Sequence, residues 1–91
     1  MISGIIKVNW IKYMSEAKQK IKHFLQTEIS GLETVDINYD TEMYQSNILD
    51  SINYVRLVIF VEGLRDRPIP QEEFNINQFA TINSIARNYL S

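Results

Sequence analysis

The sequence predicts an all-α fold: a four-helix bundle with three long helices, one short one, and a long loop between helices 1 and 2. Three observations carry this. Trp10, Met14, Ala17, Ile21, Phe24 and Leu25 recur at steps of three and four, the period of a helix with one apolar stripe. Ile82, Ile85, Ala86, Tyr89 and Leu90 repeat the pattern at the other end of the chain. Between them, only Val35 to Tyr39 alternates as a strand would, and it finds no second alternating run to pair with.

The first helix is expected from Asn9, as N-cap, to about Glu28, with Ser30-Gly31 as its stop. Its lysines and Gln19 fall on the face opposite the apolar stripe. Residues 31–50 keep no period. Asp36, Asn38, Asp40 and Thr41 are turn and cap formers set among Val35, Ile37, Tyr39, Met43 and Tyr44. This reads as a long ordered loop pinned to the core by its apolar residues, and loops of that length tend to carry function. A second helix is expected from Asp50-Ser51. Its apolar residues Ile52, Val55, Leu57, Val58, Ile59, Val61 and Leu64 cover more than one face, as in a helix that is central or meets partners. Gly63 weakens its end, and Pro68 and Pro70 forbid continuation. A short helical turn is expected over Glu72 to Phe79, with Glu72-Glu73 favouring its N-terminus. The last helix follows Thr81 as N-cap.

At 91 residues the chain is expected to be one domain, 1–91, with an ordinary globular balance of 45% apolar and 22% charged residues. It has no cysteine, which removes disulfides, thiolate metal sites and cysteine nucleophiles. One histidine, His23 among lysines, reads as a surface residue and rules out a histidine-rich metal site. Met1 to Val8 builds no secretory signal, and no apolar run has membrane-spanning length, so a cytoplasmic protein without membrane insertion is expected. The net charge of −2 hides an asymmetry. Lys7, Lys12, Lys18, Lys20 and Lys22 face a single Glu16, whereas residues 28–50 hold six acids and no base. A solvated helix face explains the lysines better than a nucleic-acid surface, given mixed signs and a pI near 5.3.

No set of acid, base and nucleophile can be assembled, so an enzyme is not expected. Asp36-x-Asn38-x-Asp40 resembles the start of a calcium loop but lacks its central glycine and terminal glutamate, so no metal site is expected. What remains is Asn47-Ile48-Leu49-Asp50-Ser51-Ile52, where a serine stands between a loop and an apolar helix. The free amides and positive end of such a helix favour a nearby anion. On local physics alone, Asp50 or Ser51 is first a helix cap.

The run Leu49-Asp50-Ser51-Ile52-Asn53-Tyr54-Val55-Arg56-Leu57 resembles the Asp-Ser-Leu-x-x-Val-x-Leu signature of acyl carrier proteins. The resemblance extends to Asp40-Thr41-x-Met43-Tyr44 upstream and to Glu62, Ile69-Pro70, Phe74 and the last helix downstream, covering about Val35 to Leu90. Ile48-Leu49-Asp50-Ser51 is closest to stand-alone carriers, D-alanyl carrier proteins among them. The resemblance implies a bundle of acyl-carrier type. It implies a 4′-phosphopantetheine arm, taken from coenzyme A by a phosphopantetheinyl transferase, on Ser51. Asp50 would orient the loop and engage the transferase. Ile52, Tyr54, Val55 and Arg56 would contact partners, and Val55, Leu57, Val58, Val61, Phe74, Ile82 and Ile85 would form core. The expected partners are that transferase and enzymes that load and transfer an acyl or aminoacyl group, held as a thioester by a monomeric carrier of a dedicated biosynthetic pathway.

The sequence departs from fatty-acid carriers at Asn53, Arg56 and Gly63, where acids are frequent, and has Arg65 for an aromatic and Asn47 for a glycine. The rival reading is a helical interaction module with a carrier-like fold that never receives the arm.

Overall fold

The structure, a computed structural model, describes residues 2–29 and 31–90, with side chains described from Lys12 onward. Among the described residues there are three α-helices: α1 (Ile2–Glu28), α2 (Ser51–Arg65) and α3 (Ile82–Ile85). A 3₁₀ turn at Ile76–Phe79 precedes α3, and a π turn at Ala86–Leu90 continues it. Among the described residues there is no strand, so Val35 to Tyr39 is loop.

Helix α1 buries Ala17, Ile21 and Leu25, with Met14 and Phe24 packed at the margin. That is the expected stripe; the Trp10 side chain lies outside the described residues. Asn9 does not cap this helix, because α1 already begins at Ile2. Residues 2–8 contain no proline to stop it, and Asn inside a helix costs less than a break. The expected stop at Ser30 falls outside the described residues, but Gly31 has φ +93°, the left-handed conformation that ends helices. His23 is exposed. Lys18 lies 5.8 Å from the ring centre of Tyr39, so one lysine of the basic face packs on the loop.

The long loop is tied down at both the apolar and the backbone level. Leu32, Ile37, Met43 and Leu49 are buried. The Met43 N–H donates to the Ala80 carbonyl at 2.7 Å, and the Asn83 N–H donates to the Tyr39 carbonyl at 3.0 Å. Asn83 Nδ2 also donates to Asp40 Oδ1 at 2.6 Å, and Asn38 Oδ1 accepts the Asp40 N–H at 2.8 Å. Within the Asp36-x-Asn38-x-Asp40 run, the Asn38 oxygen therefore serves a turn and the Asp40 oxygen the contact to α3.

Helix α2 is not central. It buries Tyr54, Leu57 and Val61 and leaves Ile52, Val55 and Ile59 exposed on the opposite side. Val55 and Phe74, expected in the core, are exposed, whereas Leu57, Val61, Ile82 and Ile85 are fully buried and Val58 is partly so. The helix runs through Gly63 to Arg65 and closes on Asp66, whose φ of +57° and N–H bond to the Glu62 carbonyl make the C-cap.

The short turn starts later than expected. Asn75 caps it, accepting the Asn77 N–H, so Glu72-Glu73 lie in the preceding bend and not at a helix start. The last helix is the shorter product of four α residues and five π residues. Thr81 caps it as expected, Oγ1 accepting the Ser84 N–H at 3.0 Å, and Ile82, Ile85, Ala86, Tyr89 and Leu90 are all buried. Phe79 sits beneath this helix, its ring centre 4.9 Å from Tyr89 and 5.5 Å from Phe74.

Candidate functional site

The choice between Asp50 and Ser51 as the cap of α2 is resolved by geometry. Asp50 has extended backbone angles, and its Oδ1 accepts the Asn53 N–H at 2.8 Å. Its carbonyl accepts the Tyr54 N–H at 3.0 Å. Asp50 is the N-cap, and Ser51 becomes the first helical residue. Ser51 is exposed, and among the described residues its hydroxyl takes part in no hydrogen bond. The hydroxyl is thus left free at the positive end of a fifteen-residue helix.

The segment that delivers Ser51 is held by one carboxylate. Glu42 Oε1 accepts the N–H groups of Gln45 at 2.8 Å and Ser46 at 3.0 Å, while Oε2 accepts that of Tyr44 at 3.1 Å. The Ser46 hydroxyl donates to the Glu42 carbonyl, so the other exposed serine nearby is engaged. The turn then closes through the Ile48 N–H on the Met43 carbonyl at 3.2 Å. It requires a left-handed residue at Asn47, φ +58°. Asparagine is among the few non-glycine residues that adopt this at low cost. Asn47 thus supplies the left-handed conformation this turn needs without a glycine.

A groove of 710 Å³ opens beside this helix start. Asp50 and Ser51 form part of its wall, and Tyr44, Leu49, Tyr54, Val58, Ile69 and Phe74 supply most of the apolar remainder. Glu62 shapes its far side: Oε2 accepts the Ile69 N–H at 2.7 Å, holding the Ile69-Pro70 segment against α2. An arm with a phosphodiester at one end fits this donor set. The helix start offers free amides to the anion, and the groove offers apolar surface to the chain that follows.

Four residues were expected at partner contacts. Ile52, Val55 and Arg56 are exposed, and Arg56 Nη1 reaches only Asn53 Oδ1, at 3.5 Å. Tyr54 departs from the expectation. It is 6% exposed, because three residues past Ser51 the helix turns its side chain inward, edge-on to Tyr44 at 6.1 Å. Its hydroxyl is buried without a hydrogen-bond partner. Burial, then the Glu42 carboxylate, then Tyr44 push its pKa up to about 12. The unfolded chain ionises near pH 10 and the folded one only near 12, so stability falls as pH rises through that window. Tyr54→Phe removes both the unpaired hydroxyl and this dependence. It is expected to raise stability by about 1 kcal/mol and to flatten the alkaline limb of a Tm-against-pH curve. A loss of stability in the phenylalanine variant would mean that the hydroxyl has a partner.

The groove residues Tyr44, Ile69 and Phe74 were not legible as a site in the sequence. Their one signal was the family resemblance, in which Tyr44, Ile69-Pro70 and Phe74 each take part. Among the described residues, no group of His, Asp or Glu side chains is placed to hold a metal, and no helix is long and apolar enough to cross a membrane.

No family model and no solved structure matches the chain. Curated proteins do. The D-alanyl carrier protein of Lactococcus lactis subsp. cremoris (strain MG1363) is 30% identical over 69 residues, which is 76% of this chain and 86% of the relative. That of Latilactobacillus sakei subsp. sakei (strain 23K) is 29% identical over 58 residues, 64% of this chain and 74% of the relative. That of Lactobacillus delbrueckii subsp. bulgaricus (strain ATCC BAA-365 / Lb-18) is 33% identical over 58 residues, 64% of this chain and 71% of the relative. All three are named as carriers, proteins that are not themselves enzymes. On these relatives and an all-helical fold, the chain belongs to the acyl carrier protein family.

Proposed function

We propose that this carrier holds an acyl or aminoacyl group, with D-alanyl the first candidate, as a thioester on a 4′-phosphopantetheine arm attached to Ser51. The observation that carries the reading is the free, exposed Ser51 hydroxyl at the head of α2, with the capping role already taken by Asp50. In the transfer, Ser51 Oγ forms a bond to the β-phosphorus of coenzyme A, and the pyrophosphate bond breaks. Adenosine 3′,5′-bisphosphate leaves, and the serine proton passes to a base on the transferase. The chain supplies position: Asp50 fixes the helix start, and the Glu42-held turn fixes Asp50.

When bound, the arm supplies the thiol that this cysteine-free chain lacks. Tethering raises the concentration of the carried group at each partner enzyme. The D-alanyl assignment comes from the printed names of the relatives. We read the chain as one monomeric domain whose 3₁₀ turn at Ile76–Phe79 stands for the short helix of a four-helix carrier bundle. We place it in the cytoplasm, where coenzyme A and the transferase are available, within a dedicated biosynthetic pathway.

Co-expression with a broad-specificity phosphopantetheinyl transferase tests the reading. One phosphopantetheinyl group per chain is the expected gain in intact mass. An unmodified chain under conditions that modify a control carrier sinks it, and leaves the interaction-module reading in its place.

A further inference from the structure

One polar atom in the wall of the groove has no role in the fold. Tyr54 is buried and lines the groove, and its hydroxyl has no hydrogen-bond partner. A buried polar group left unpaired costs stability that phenylalanine would keep. Two other buried side-chain atoms among the described residues lack partners, Arg65 Nε and Asn83 Oδ1. Neither residue lines this groove.

Helical spacing sets Tyr54 beside the attachment point. Ser51, Tyr54 and Val58 stand at i, i+3 and i+7 on one side of α2, and all three line the groove. A step of three residues leaves roughly 5–6 Å between Cβ atoms. A chain tethered to Ser51 that follows this wall therefore reaches Tyr54 within one turn of the helix. The ring that covers Tyr54 is Tyr44, edge-on at 6.1 Å and 41% exposed. Glu42 holds Tyr44 by its backbone N–H, so the ring can swing aside while the turn stays in place. The Tyr54 hydroxyl also keeps its proton at neutral pH, since burial and the Glu42 carboxylate push its pKa up to about 12. It is a donor without an acceptor.

We infer that the Tyr54 hydroxyl is reserved for an amide carbonyl of the phosphopantetheine arm, which it docks against the groove between deliveries. The inference rests on the carrier reading of Ser51. Beyond its phosphodiester the arm presents a gem-dimethyl group, which suits an apolar wall, and then amide carbonyls, which are strong acceptors. One hydroxyl is unpaired, so one carbonyl is engaged. The net strength of a single such bond is modest, and the arm stays free to leave for a partner enzyme.

The test compares the Tm of the apo and holo full chain for wild type and Tyr54→Phe. The holo forms are made with a transferase and coenzyme A labelled with carbon-13 at its amide carbonyls. Attachment is expected to raise the wild-type Tm by roughly 4–8 °C, the shift that one ordinary hydrogen bond brings to a domain of this size. In Tyr54→Phe the apo Tm is higher, and the gain on attachment falls below about 2 °C. One labelled carbonyl resonance moves downfield in wild-type holo chain and returns to its position in free coenzyme A in Tyr54→Phe. Equal Tm gains in the two chains, or wild-type carbonyl resonances at their free positions, overturn the docking and leave the carrier reading standing. An apo Tyr54→Phe chain less stable than wild type shows that the hydroxyl already has a partner, and overturns it too. A wild-type chain that takes up no arm overturns both the docking and the carrier reading.

Discussion

Phe79→Ala is expected to lower the unfolding free energy by about 3–5 kcal/mol, the largest single-residue stability effect we foresee. Phe79 is fully buried, with Phe74 and Tyr89 against its ring at 5.5 and 4.9 Å. It also stands where three connections meet. The turn that carries it is capped by Asn75, the Asn75 N–H donates to Tyr89 Oη at 3.0 Å, and Tyr89 Oη donates to Gln78 Oε1 at 2.7 Å. Removing the ring leaves a cavity that these hydrogen bonds prevent from collapsing. Domains of this size hold roughly 5–15 kcal/mol, so the variant should be near its folding limit. The readout is thermal unfolding by circular dichroism, with a Tm lower by roughly 15–30 °C. Ile52→Ala, at a 74% exposed position, is the control and should change stability by no more than about 0.5 kcal/mol. A cost below about 1 kcal/mol for Phe79→Ala would contradict the packing described.

Ser51→Ala has the opposite profile: complete loss of modification with the fold untouched. The residue is exposed, its hydroxyl holds nothing, and alanine is a better helix former than serine. The thermal transition should stay within about 1 °C or rise. Asp50 variants separate its two expected roles. Asp50→Ala loses the bond to the Asn53 N–H and should cost about 0.5–2 kcal/mol. Asp50→Asn keeps a capping oxygen, so any slowing of modification in that variant reports the carboxylate's charge.

The helices were legible because their signal is periodic and redundant. Six apolar residues fix the face of α1, and Thr81 with five apolar residues fixes the last helix, so no single exception could obscure either. Boundaries were less legible. Asn9 has the chemistry of a cap, yet nothing in residues 2–8 stops a helix, and the longer helix is what forms. Glu72-Glu73 suit a helix start, but Asn75 can accept the Asn77 N–H directly, and that local bond decides.

Burial on α2 was the harder question. Val55, Leu57 and Ile59 have similar hydropathy, and only the three-dimensional phase of the helix separates the buried Leu57 from the exposed Val55 and Ile59. Composition alone cannot supply that phase when both faces are apolar. The candidate site stood out as a sequence signature. Its physical basis did not, because the division of labour between Asp50 and Ser51 depends on one 2.8 Å hydrogen bond. The left-handed Asn47 is similar: in the sequence it stood as a missing glycine, and in the structure it does the glycine's work.

We propose Ser51, among the described serines, as the one prepared for attachment. Ser46 is exposed nearby, and its engaged hydroxyl makes it the internal control. Fragment-ion mapping of the modified chain tests this most directly, after reaction with coenzyme A and the transferase. The account predicts that the whole added mass sits on Ser51 and that Ser51→Ala carries none. Added mass on Ser46, or modification that persists in Ser51→Ala, would contradict it.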